Sequence, residues 1–542
     1  MRAMFNYFST GRIVVGVVAA IGSLFAVGSH AAVPGISGGA TTPTFNLSAG
    51  ETLINQPDGM SVYSWGYGCS GTPAGFLPTA IPSTAGTGAQ GAFANCPSVQ
   101  LPGPTLIVKE GDTVTVNLTN NLPAAAGNTS IYFPGFNVTT TDGHPGVLVQ
   151  EAVNAAACSP APCNTVTYSF TASTPGTHAY YSGTQGAVQV EMGLYGALIV
   201  LPNTVPAACA STLNDTARSA NNEPDYRLAK SAYDHDSTCY DREYLAQLSE
   251  MDAKVHVQAQ AQVAANTACT NEAGCLNIVT EPYQATYYLI NARSFPDDAD
   301  PEYAPAYPNQ PYNMNPHGHP GEVLLLRVIG QGRLQHPFHE HGNHLRMLAR
   351  DGNLLVSATD PTKLAGPLNF TTASVPGMAI DSLFYWTGKG LNWDVFGHGY
   401  AGDTSQCIPD ANGYYTSNPA APNFYEWCGD HNKALEKNPF GQVASGGPMT
   451  LPDPNLFVNG PWYSGSAYLG GDANARSMGA TPLPPFGTML NNPTVSSFAY
   501  MWHSHNEREI TTSNVFPGGM MSMLLIDPRY SLGASVLIDE SL

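Results

Sequence analysis

"TLIVKEGDTVTVNLTN" (residues 105–120) decides the fold class. Val114, Val116 and Leu118 alternate with Thr113, Thr115, Asn117 and Thr119. A period of two puts the apolar side chains on one face of a strand and the polar ones on the other. The same grammar recurs outward from this stretch in "NTVTYSFTA" (164–172), "LYGALIVLP" (194–202), "VLLLRVIG" (323–330) and "GMMSMLLIDP" (519–528), each bounded by Gly, Pro or Asn. Charged residues make up only 11% of the chain, while Gly (55) and Pro (44) are plentiful, so good helix formers are thinly spread. The pattern predicts an all-β protein built of sandwiches.

At 542 residues the chain is too long for one ordinary domain. Its first 32 residues read as a secretory signal peptide. Arg2 and Arg12 precede an apolar run from Ile13 to Val27, and Ser29-His30-Ala31 fits a small-x-small cleavage site. The run is short for a membrane span, and no later stretch is apolar enough to make one. Removing the leader takes away two arginines and no acid, which moves the formal net charge from −20 to −22. Such a surface repels nucleic acid and anionic lipid. Ten cysteines fall into neighbours along the chain: Cys69 and Cys96, Cys158 and Cys163, Cys209 and Cys239, Cys269 and Cys275, Cys407 and Cys428. An even count in an exported chain predicts disulfides, with sequential pairing the simplest choice. The periplasm or the exterior of the cell is the expected location.

The strand series divides. Residues 33–205 form one expected domain, and 206–241 is polar and irregular, like a linker or large loop. Residues 242–542 form a second domain, interrupted at about 398–492 by a stretch dense in Gly, Pro, Asn and Tyr. We read that stretch as a loop insertion; a third domain is the alternative, because so long a loop is unusual in a compact fold.

Near the C-terminus, "MWHSHNEREITTSNVFPGGMM" (501–521) places His503 and His505 on either side of Ser504. A strand would send both imidazoles to one face and the hydroxyl to the other. "HPFHEHG" (336–342) repeats the device with His339 and His341. Four imidazoles on one face suit one Cu(II), or Zn(II) or another borderline metal. "PHGHPGE" (316–322) also spaces two histidines two apart, but its Pro/Gly turn favours solvated side chains, and His144 and His178 read as loop histidines.

These motifs, with "PGPTLIVKEGDTVTVNLTNNLP" (102–123), "GLYGALIVLP" (193–202) and "YYLINARSFPD" (287–297), resemble the multicopper oxidases. The resemblance covers most of the chain in order, apart from the linker and the insertion. It implies tandem cupredoxin-like Greek-key β-sandwiches, a mononuclear type 1 copper held by Cys, two His and often Met, and a trinuclear cluster held by four His-x-His pairs. Carried over position by position, His336 matches a type 1 ligand, and His339, His341, His503 and His505 match cluster ligands. Ser504 stands where the type 1 cysteine belongs, and Glu509 where its second histidine belongs. Met520 or Met521 stands near the axial position. In the first sandwich, Tyr132, Pro134, Tyr181 and Gly183 occupy the four remaining cluster positions.

The resemblance therefore implies copper without the full type 1 plus trinuclear set, because a blue copper site needs a thiolate. His336 with Glu509, helped by Glu340 or Glu507, is a second expected metal site of iron, manganese or hard copper type; a salt bridge from Glu509 to Arg508 or Arg346 is the simpler reading. The ten or so methionines outside the leader and "GGMMSM" read mostly as core fillers. The functional expectation is an exported copper-binding oxidoreductase acting on a small molecule or metal ion. The alternatives are a non-catalytic copper-sequestering protein and a structural cupredoxin-fold protein. The resemblance also implies a homotrimer, with the histidine face meeting a neighbour's Tyr132 and Tyr181.

Overall fold

The computed structural model describes residues 32–39, 42–80, 96–160, 162–387, 389, 408–421, 423–429, 480–483, 487–490, 498–527, 529–531 and 534–535. The proposed leader, Cys407 and most of the 398–492 stretch lie outside them.

Two sheets build the first sandwich. One runs Gly75–Leu77, Gly35–Ser37, Leu106–Lys109, Tyr195–Leu201, Gly176–Tyr181; the other runs Ser61–Cys69, Thr44–Asn55, Thr113–Asn120, Thr165–Thr171, Thr139–Thr141. The alternation in 113–120 works as expected: Val114, Val116 and Leu118 are buried among Phe45, Leu47, Trp65, Tyr168 and Phe170. Thr44–Asn55 pairs in parallel with Thr113–Asn120, and Leu106–Lys109 in parallel with Tyr195–Leu201. Parallel neighbours inside a mostly antiparallel sandwich require crossover connections of the Greek-key kind.

The second sandwich repeats this plan. Its first sheet runs Tyr287–Ile290, Arg242–Met251, Val323–Gly330, Ala379–Tyr385, Leu345–Arg350, Asn353–Leu354. Its second runs His317–Gly318, Met521–Ile526, Phe498–Ser504, His336–Glu340, Thr371–Ser374. Their facing sides share Tyr244, Leu326, Phe338, Tyr500, Trp502 and Leu524. Phe338 is fully buried there, and truncating it to Ala would cost about 3–5 kcal/mol. The protein is thus mostly β, with cupredoxin-like sandwiches, as the sequence predicts.

The sandwiches meet along a mixed seam. Ile107, Ala179 and Ile199 from the first pack on Leu245, Ile329 and Ala379, which lie on the outer face of the second sandwich's first sheet. Buried polar contacts cross beside them. Thr177 donates through Oγ1 to Asp381 Oδ1 (2.5 Å), and Arg327 donates to Thr177 Oγ1 (3.0 Å) while also holding Glu243 (2.9 Å).

Two segments are more ordered than their composition predicts. Residues 206–241 contain helix Leu213–Ala220, opened by a capping box between Thr212 and Asp215. Arg227 in the same segment donates to Asp215 and Asp225, both at 2.6 Å. Helix Ala253–Ala265 is N-capped by Asp252, whose carboxylate accepts from Lys254 N, and it buries Val255, His256 and Ala259. Among the described residues four sequential disulfides are formed: Cys69–Cys96, Cys158–Cys163, Cys209–Cys239 and Cys269–Cys275. Among the described residues no helix is long and apolar enough to cross a membrane.

Candidate metal centre

Strand His336–Glu340 pairs antiparallel with Phe498–Ser504, and His339 lies directly opposite His503. Because Phe338 and Trp502 point into the core, the alternation sends His339 and His503 to the other side of the sheet. His341 follows on the same side, anchored by its backbone N–H to Met501 O (3.1 Å). Gly342 then takes a φ of 76°, a left-handed turn that reverses the chain into strand Leu345–Arg350. This outward face is the one turned away from the seam with the first sandwich.

His339, His341 and His503 bring one ligand atom each to within 4.8 Å of one another. The rings of His339 and His341 lie 5.1 Å apart, those of His341 and His503 5.2 Å, and those of His339 and His503 5.5 Å. Hydrogen bonds set the tautomers. His503 Nδ1 donates to Ser504 O (2.7 Å), so its Nε2 carries a lone pair, which accepts from His341 Nδ1 (3.0 Å). His339 Nδ1 lies 3.0 Å from Thr371 Oγ1. Burial, followed by the neighbouring imidazoles, lowers the His339 pKa to about 4 and lowers that of His503. The rings of His339 and His503 are therefore neutral at pH 7. His505 lies beside them, its ring 4.9 Å from that of His339, but it is exposed and outside the converging group. Three converging imidazoles fit a borderline ion such as copper.

The inward side of the same strand pair is different. His336 is fully buried, with Nδ1 2.9 Å from Glu509 Oε2 and Nε2 2.8 Å from Glu250 Oε2. Ser504 Oγ donates to Glu509 Oε2 (2.6 Å), and Asn506 Nδ2 donates to Glu509 Oε1 (2.9 Å). Glu250 Oε1 accepts the backbone N–H groups of Arg333 (2.7 Å) and Leu334 (2.9 Å). Burial alone would lower the His336 pKa, but the bonds to Glu250 and Glu509 outweigh it and raise the pKa to about 9. The ring is an imidazolium between two carboxylates, with both nitrogens engaged. Gly519 permits this: any Cβ there would lie 2.2 Å from Glu509 O. Glu509 thus pairs with His336, which corrects the expected salt bridge to Arg508 or Arg346. The structure brings Glu509 to His336 but joins neither to Glu340 or Glu507. Glu340 instead accepts from Thr372 Oγ1 (2.8 Å), and burial raises its pKa to about 8.

In the first sandwich, Tyr132 and Tyr181 exchange backbone hydrogen bonds (2.7 and 3.2 Å), and their rings lie 5.7 Å apart. Burial raises the Tyr181 phenol pKa further from ionisation. Its hydroxyl faces Gly377 of the second sandwich, so it belongs to the seam. His178 corrects its loop reading: it is buried in strand Gly176–Tyr181, with Nε2 2.9 Å from Thr174 O. His144 stays partly exposed, 3.5 Å from Glu272.

Sequence reasoning missed one group altogether. His317 and His319 are buried, not solvated. His319 converges with Glu223 and Glu322. Both carboxylates are already bonded to arginines: Arg242 to Glu322 at 2.5 Å and Arg529 to Glu223 at 3.3 Å. Two cations already neutralise these two acids, so a divalent ion has little to gain there.

Comparison with known proteins adds the following. A family model described as multicopper oxidase matches residues 92–204. An L-ascorbate oxidase of Brassica rapa subsp. pekinensis is 40% identical over 101 residues, 19% of this chain and 16% of the relative. A laccase of Aspergillus fumigatus is 35% identical over 105 residues, again 19% and 16%. The matched region thus spans about a sixth of these relatives' length. Among solved structures, a blue copper oxidase from Nitrosomonas europaea aligns over 89% of this chain and 85% of its own, with a TM-score of 0.42 and 16% identity. A multicopper oxidase, mgLAC, aligns over 91% and 88%, with a TM-score of 0.43 and 15% identity.

Proposed function

Since this chain belongs, through residues 92–204, to the multicopper oxidase family, we propose that it is an exported copper-binding oxidoreductase with an altered metal centre. In this reading its metal chemistry is confined to the outward face of the second sandwich. The observation that carries the proposal is the convergence of His339, His341 and His503. Copper there would supply one-electron chemistry. The protein's own part is to hold the donors deprotonated: Ser504 O fixes the His503 tautomer, and burial keeps His339 uncharged at neutral pH. His505 rims the open side.

The absence of a type 1 centre belongs to the same proposal. A hydroxyl replaces the sulfur at Ser504, and the one imidazole of that site is held between Glu509 and Glu250. In place of a redox ion, a proton sits on His336. Four disulfides support export. A homotrimer that covers the histidine face is the proposed assembly, and a monomer in solution scattering removes it.

A second reading, a copper carrier without turnover, is favoured by the same Ser504. One experiment separates the two: copper loading, metal analysis, an absorption scan and oxygen uptake with phenolic and metal-ion substrates. Bound copper with uptake and no strong band near 600 nm supports the oxidoreductase. Bound copper without uptake supports the carrier. A strong band there, the signature of copper–thiolate charge transfer, overturns the altered centre.

A further inference from the structure

Methionines share the outward face with the histidines. Strand Phe498–Ser504 pairs antiparallel with Met521–Ile526, with His503 opposite Met521 and Met501 opposite Met523. Tyr500, Trp502, Leu524 and Ile526 fill the core, so the alternating positions Met501, Met521 and Met523 lie on the other side, with His339 and His503. One row across the sheet reads Thr371, His339, His503, Met521. The next brings His341, whose N–H bonds Met501 O, beside Met501 and Met523. Directly opposed residues have Cβ atoms about 4.5–5.5 Å apart. A methionine adds three rotatable bonds to that reach. Met521 is nearly buried on this outward face, at 4% exposure. Met520, its neighbour in sequence, belongs to the core.

Three of the chain's 15 methionines thus share one sheet face with three imidazoles. Thioethers are soft donors that select Cu(I), whereas imidazoles alone also suit Cu(II) and Zn(II). We propose that Met501, Met521 and Met523 turn the imidazole group into a mixed sulfur–nitrogen site for Cu(I). The inference rests on the proposed copper binding at His339, His341 and His503 and adds the oxidation state to it.

The test uses the full chain, loaded anaerobically with Cu(I) and, separately, with Cu(II). X-ray absorption at the copper edge reads the ligand shell, and competition with a chromophoric Cu(I) chelator reads affinity. The expected result is a sulfur shell in the wild-type Cu(I) form. Combining Met501→Leu, Met521→Leu and Met523→Leu should remove that shell, weaken Cu(I) about tenfold or more and leave Cu(II) affinity unchanged. Leucine conserves volume, and the wild-type spectrum stands whether or not the variant folds. A wild-type shell of nitrogen and oxygen only, with copper retained, overturns the inference and leaves the proposed function intact. A wild-type protein that retains no copper in either state overturns both.

Discussion

The two faces of one strand pair hold the same side chain in opposite chemical states. Outward, His339 and His503 face other imidazoles, and burial keeps them neutral, with His339 down at about 4. Inward, three residues away, His336 meets Glu250 and Glu509, and its pKa rises to about 9. Strand position fixes which way a ring points; the partners it meets decide whether it offers a lone pair or carries a proton. A histidine in a family motif is therefore a metal ligand only where its neighbours leave it neutral.

The comparison breaks most visibly at the outward face. Replacing His339 and His503 together by alanine should abolish copper retention after dialysis while leaving the fold intact. Full metal content in that variant, measured by elemental analysis, would mean that the outward face is not the site. The inward face should respond in stability instead. His336→Leu leaves two buried carboxylates without their cation and should cost about 3–5 kcal/mol in chemical denaturation. Copper content should not change.

The pH dependence sharpens the contrast. The folded pKa of His336 lies above its unfolded value near 6.5, so the imidazolium contributes stability in full below about pH 6.5. That contribution is lost as pH rises through about 9. The loss should be about 3 kcal/mol, and denaturation curves of His336→Leu across this range should lack it. Ser504→Cys should have the smallest effect. Losing the hydroxyl's 2.6 Å bond to Glu509 costs about 1 kcal/mol. Restoring the sulfur alone should produce no strong band near 600 nm, because both His336 nitrogens stay bound to carboxylates; such a band would show that the ring is free to leave them.

Much of this was legible in the sequence. The alternation of Val114, Val116 and Leu118 identified a half-buried strand, and the same period placed His339 with His341 and His503 with His505. The serine at 504 was plain. Glu250 was not: it lies 86 residues before His336, in a strand whose ten residues are all buried, so nothing local marks it. Glu509 was matched to the right position but given the wrong partner, since local arginines compete on paper with a histidine that only the fold brings near. His317 and His319 sit in Pro/Gly-rich sequence, where burial leaves no periodic trace. Met501 reads as filler by its letter alone, because a sulfur facing out and one facing in look the same until its register opposite Met523 is known.

The buried contacts between the sandwiches restrict how the two lobes can move. Thr177 of the first lobe is bonded to both Asp381 and Arg327 of the second, beside Glu243. Swinging the lobes apart would take the Thr177 hydroxyl from both Asp381 and Arg327 and expose the apolar seam beside them, so a hinge along this line is disfavoured. The imidazole face lies on the side turned away from this seam, so access to it does not depend on any clamshell motion of the two lobes.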